Sequence, residues 1–98
     1  MAAPAQPDER PDWTFLTNHG HVLICLAQDA DLRIKDVAQR VGITERAVQS
    51  ILGDLEAAGF LVRERDGRRN HYRVRLSGRF RHSIEKGVQV SELVRLFT

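Results

Sequence analysis

The stretch RERDGRRNHYR, residues 63–73, places five arginines among eleven residues around a turn-forming Asp66-Gly67. That much like charge repels itself unless a polyanion or water faces it. Guanidinium forks match phosphate oxygens and guanine bidentately. Arg65, Arg68, Arg69 and Asn70, at or beside the tip, are therefore candidates to straddle a phosphate backbone. A narrow, electronegative minor groove would also hold an inserted arginine. A solvated charge run that shields an edge strand from aggregation has the same composition. A second set lies upstream, at Thr44, Glu45, Arg46, Gln49 and Ser50. Arginine suits the guanine acceptors, glutamine suits adenine, and glutamate accepts from the cytosine amino group. Lys35 adds a further cation for phosphate.

Other chemistries find less support. His21 and Cys25 stand four apart, a spacing that two metal ligands can use on one helical face, and His19 is close. A zinc site needs a third or fourth ligand, and only His71 and His82 remain among the histidines and cysteines. No metal or other cofactor is therefore expected, and Cys25 reads as a small buried apolar residue. A Gly-rich phosphate loop and a nucleophile motif are both missing, so the chain does not read as an enzyme. The lone cysteine cannot form an internal disulfide, and no run approaches the roughly 18 apolar residues of a membrane span. The N-terminus lacks a basic-then-apolar secretion signal. These features predict a cytoplasmic protein without a membrane partner.

Charge is distributed unevenly along the 98 residues. The net value is +2, but residues 1–62 carry −4, residues 63–76 carry +4 and residues 77–98 carry +2. A positive field concentrated in the last third points towards nucleic acid and carries no information about fold. Arginine outnumbers lysine 13 to 2. That bias fits phosphate pairing, and codon usage in a GC-rich genome produces it equally well.

The elements that must position these groups follow from periodicity. Residues 1–11 hold all three prolines and no large apolar residue beyond Met1, and read as a disordered leader. Residues 12–76 form the predicted domain. Thr17 or Asn18 can cap a helix through HGHVLICLAQD, whose stretch 22–27 is apolar on every side. Such a helix must be sandwiched, within the domain or between two copies. Ile34, Val37, Ala38 and Val41 make the i, i+3, i+4, i+7 stripe of a second helix, and Gly42 stops it. Thr44 caps a third helix over residues 45–58. There Ala47, Val48, Ile51, Leu52, Leu55 and Ala58 fall within about 140° at 100° per residue. The opposite midline carries Arg46, Gln49 and Gly53. Gly53 is unusual, because a mid-helix glycine costs roughly 1 kcal/mol against alanine. Gly59 ends that helix.

FLVRER and HYRVRL then read as two strands around the turn DGRRN, with Tyr72, Val74 and Leu76 facing a core and Arg73 and Arg75 facing out. Residues 77–98 form an extension: an irregular SGRFRHSIEKGVQ, then a short helix capped by Ser91 and bearing Leu93, Val94, Leu96 and Phe97. That helix either packs back on its own domain or serves as a dimerisation element. The predicted fold is mainly α, a three-helix core with a small β-hairpin wing and a short C-terminal helix.

Two short helices joined by a glycine-containing turn make a helix-turn-helix, and a hairpin after them makes it winged. The segment IKDVAQRVGITERAVQSILGDLEAAGFLVRERDGRRNHYRV resembles the winged helix-turn-helix transcriptional regulators of bacteria and archaea, of the MarR-like or ArsR-like kind. The resemblance covers about residues 17–76. It implies a dimeric repressor or activator on double-stranded DNA, with its second helix-turn-helix helix in the major groove and its wing near the minor groove. The cysteine pairs of ArsR-like metal sensors are absent. A winged helix that binds an acidic protein through its hairpin remains the alternative from another class. Non-specific chromosome or RNA binding would keep the wing's role and lose base readout.

Overall fold

The computed structural model describes residues 11–98. The leader expected at 1–11 lies outside the described residues, apart from Pro11. The first helix, α1 (Asn18–Gln28), starts where the Thr17 hydroxyl accepts from Gly20 N at 3.3 Å. Val22, Leu23, Cys25 and Leu26 are buried and Ile24 and Ala27 half-buried. The apolar circumference has a simple cause. Both other core helices, the second strand and the last helix all lie against α1, so it is sandwiched within one chain.

Helix α2 (Ile34–Val41) opens with Arg33 N donating to the Asp36 carboxylate at 3.3 Å and buries Val37 and Ala38. It ends at Gly42, whose φ of 87° lies in the left-handed region. Gly42 N and Ile43 N both donate to the Ala38 carbonyl, at 2.8 and 3.1 Å, which closes the helix end. Helix α3 (Glu45–Ala57) follows at once, its first turn capped by the Thr44 hydroxyl accepting from Ala47 N at 3.0 Å. It buries Val48, Ile51, Leu52 and Leu55. Ala58, expected on the apolar arc, is exposed, because the helix has already ended there.

Strands β1 (Leu61–Asp66) and β2 (Arg69–Val74) pair antiparallel from Leu61↔Val74 to Asp66↔Arg69. The turn is tighter than the five residues expected: only Gly67 and Arg68 connect the strands. Gly67 takes φ 65°, and a two-residue turn of this hand matches the twist of the strands, so Arg69 and Asn70 stay in the ladder. The inward face is shorter than expected. Tyr72 is buried and Val74 half-buried, but Leu76 is exposed because β2 has ended. Beyond it the chain turns, with Gly78 N donating to the Arg75 carbonyl at 3.0 Å.

The extension is more ordered than its composition suggests. A single 3-10 turn occupies Ser83–Glu85, and the loop closes on itself where Phe80 N donates to the Val88 carbonyl at 2.9 Å. Helix α4 (Val90–Phe97) begins two residues earlier than a Ser91 cap would allow: Gln89 holds the cap position. Val90, 1% exposed, enters the same core as α1–α3, and Leu93 and Val94 pack against it. The Gln28 side-chain amide donates to the Phe97 carbonyl at 3.0 Å, tying the end of α4 to the end of α1. Leu96 stays 75% exposed.

Val90→Ala should therefore cost about 2 kcal/mol in urea unfolding, from lost burial and the cavity left behind. Leu96→Ala should change stability by less than about 0.5 kcal/mol. Equal effects would mean that α4 is not part of this core.

Candidate nucleic-acid interface

Burying one stripe of α3 turns the other outward. Glu45, Arg46, Gln49, Ser50 and Gly53 are all exposed, and none of their side chains has a protein partner among the described residues. A Cβ built on Gly53 would meet nothing within 4 Å, so packing does not explain this glycine. Thr44 is exposed, with its hydroxyl committed to the cap. Lys35 is exposed in the first turn of α2. The α3 N-terminus adds free N–H groups and partial positive charge beside Arg46, a setting that favours a phosphate.

The wing is less open than its composition implies. Arg65 folds over the turn, its Nε donating to the Gly67 carbonyl at 3.2 Å. Arg63 pairs with Glu56 of α3 at 3.4 Å. Arg73 donates to Glu64 at 2.7 Å, and this bond holds the Glu64 carboxyl below the usual glutamate range. Arg69 does not point along the tip. Its guanidinium donates to the Asp31 carbonyl in the loop between α1 and α2. Beside it, His71 Nδ1 lies 3.0 Å from the Asp31 carboxylate. Arg68 is the one arginine of 63–73 without a protein partner among the described residues, and Asn70 is exposed next to it. Sequence reasoning missed Asp31 altogether. It lies 38 residues from Arg69 in an unremarkable loop, and no local pattern announces the pair.

The metal candidates separate. His19 donates to Asp54 at 2.8 Å and His21 Nδ1 to the Asn18 amide oxygen at 3.3 Å, while Cys25 is buried. Burial pushes the Cys25 thiol above its ordinary pKa, against a smaller opposing pull from Arg40. Among the described residues no three His, Cys, Asp or Glu side chains cluster as a metal site would need. None of the described helices is long and apolar enough to cross a membrane.

Three core helices, the glycine turn and the cationic hairpin make up a winged helix-turn-helix fold. Residues 16–62 match the family model for winged helix-turn-helix DNA-binding proteins. A solved structure gives the particular likeness: MepR, a transcription regulator of the Staphylococcus aureus multidrug efflux pump MepA. It is similar with a TM-score of 0.54 and 26% identity over 82% of this chain and 56% of that one. The chain thus spans little more than half the length of MepR. No curated protein matches it.

Gly53→Ala should stabilise the chain by about 1 kcal/mol through helix propensity, because the site is open. If the α3 backbone approaches DNA closely at Gly53, the same variant should bind duplex more weakly despite its higher melting temperature. Thermal unfolding and a binding titration on one sample read both effects.

Proposed function

We propose that this chain is a dimeric transcription regulator that binds double-stranded DNA in a sequence-specific way. Residues 45–57 enter the major groove and the wing rests on phosphate or the minor groove. The observation that carries this reading is the two-sided build of α3. Its buried stripe is wholly apolar, while its outward stripe offers Arg46, Gln49 and Ser50 without a partner among the described residues. Those groups match base edges, with Glu45 and the helix N-terminus at the leading end. Arg68 at the wing tip and Lys35 at the start of α2 supply phosphate contacts, which position the protein without specifying sequence. Arg65 reaches phosphate by exchanging its exposed backbone-carbonyl partner for a charged one, and Arg69 adds its charge to the wing while it keeps its bond to the Asp31 carbonyl. Thr44 supports the readout through its cap, and Asn70 lies beside the wing cations.

A single helix reads few base pairs, so such modules commonly act as two copies on half-sites about one helical turn apart. The apolar groups available for a second copy include Trp13 and Phe15, whose rings meet edge to face with centroids 5.3 Å apart, and Leu96 and Phe97 at the end of α4. All four are exposed, whereas Leu93 and Val94 are occupied by the chain's own core. The likeness to MepR, itself a transcription regulator, supports regulation as the outcome of binding.

Arg46→Ala or Gln49→Ala should cost about 1–3 kcal/mol on the preferred duplex and relax discrimination at one base position. Arg68→Ala should weaken all duplexes alike and lower the slope of log affinity against log salt by roughly 0.9. An unchanged slope would remove the phosphate role of the tip. In sedimentation, a Leu96→Lys, Phe97→Lys double variant should run as a monomer if α4 forms the main interface. If it remains a dimer, the interface lies elsewhere, with Trp13 and Phe15 the next candidates.

A further inference from the structure

The outer half of the wing has little apolar support. Leu61 and Tyr72 enter the core and Val74 lies against it, but every residue from Arg63 to Asn70 is exposed. A two-stranded hairpin is marginal by itself, and its ladder does not set its angle to the helices. A polar tie joins β2 to the helical layer through one residue, Asp31. His71 Nδ1 lies 3.0 Å from the Asp31 carboxylate, and the Asp31 carbonyl accepts from the Arg69 guanidinium. Residues 69 and 71 are two apart on one strand, hence on the same face, and both reach the same partner. Asp31 is itself held in place, its N–H donating to the Asp29 carboxylate at 3.0 Å. Two residues later Arg33 opens α2, with Lys35 in its first turn.

We infer that Asp31 is a positioning residue for DNA binding, holding β2 through His71 and Arg69 so that the wing meets the duplex at a fixed angle to α3. The inference rests on the DNA-binding reading above. The side chains of His71 and Asp31 are 36% and 79% exposed, so the tie adds little to global stability. Loss of its carboxylate half loosens the wing without unfolding the chain, and the Arg69 bond, made to the main-chain carbonyl, remains. The direction of the effect separates positioning from plain electrostatics. Asp31 is an anion beside a cationic surface, and its charge by itself opposes a polyanion.

Two full-length variants remove that charge equally: Asp31→Asn keeps an acceptor for His71, and Asp31→Ala does not. The probe is a duplex enriched from a random-sequence pool by the wild-type protein, together with amide exchange of the free protein. Asp31→Asn should bind at least as tightly as wild type. Asp31→Ala should bind roughly tenfold more weakly, the equivalent of one charge-assisted contact. Its amides over residues 68–71 should exchange faster while its melting temperature holds. Equal affinity of the two variants, or Asp31→Ala binding as tightly as wild type, would overturn the positioning role. Failure of the wild-type protein to enrich any duplex overturns the DNA-binding reading, and this role with it. Exchange in Asp31→Ala then separates the two: faster exchange keeps Asp31 as the wing's anchor, and unchanged exchange removes that as well.

Discussion

The crossing of α2 over α3 governs the rest of the molecule. Ala38 on one helix and Val48 on the other are both buried, Val48 completely, and the small side chain at 38 lets the helices approach. Gly42 sets the angle of entry by taking a backbone conformation that other residues adopt only with strain. Once Val48, Ile51, Leu52 and Leu55 are committed inward, helical geometry leaves no choice about what faces outward. The stripe we assign to base edges is thus the complement of the stripe that stabilises the fold. Burial of each large aliphatic side chain contributes on the order of 1.5–3 kcal/mol, so that stripe is held far more firmly than surface contacts could hold it.

The wing is built on the opposite principle. Its inner end shares the common core through Leu61 and Tyr72, and its outer end is held by polar ties. Arg63 meets Glu56, Arg73 meets Glu64, Arg65 meets the turn, and Arg69 with His71 meets Asp31. Exposed bonds of this kind are individually weak. They give the hairpin a shape without burying its guanidinium groups. A dense cationic cluster is tolerable here because much of it is already engaged, with Arg68 at the tip left without a partner among the described residues.

The C-terminal extension joins both themes. Val90 belongs to the central core, so α4 is not a free appendage. Its last turn is different: the side chains of Leu96 and Phe97 are exposed, even though the Phe97 carbonyl is bonded to Gln28 at the end of α1. One short helix therefore completes the domain with its first half and offers apolar surface with its second. The family resemblance ends near residue 76, so this division of labour could be read only from the contacts.

The sequence by itself determined whatever depends on neighbours within a turn or two. It carried the cap at Thr44, the stripe from Ile34 to Val41, the stop at Gly42, the two faces of α3 and the existence of the hairpin, while the first cap stayed open between Thr17 and Asn18 and the turn proved to be Gly67-Arg68. Each of these is a local preference repeated at a fixed period, which is why they were legible. The tertiary structure decided what depends on partners far apart in the chain. Leu76 looks like a strand residue but lies past the end of the ladder, Val90 looks like a loop residue but fills the core, and Arg69 looks like a free cation but is bound to Asp31. An alternating pattern does not say where pairing stops, and a single valine or aspartate has no period at all. Their roles arise only when folding brings distant segments together, because the energy of those contacts belongs to the pair and not to either residue's local sequence.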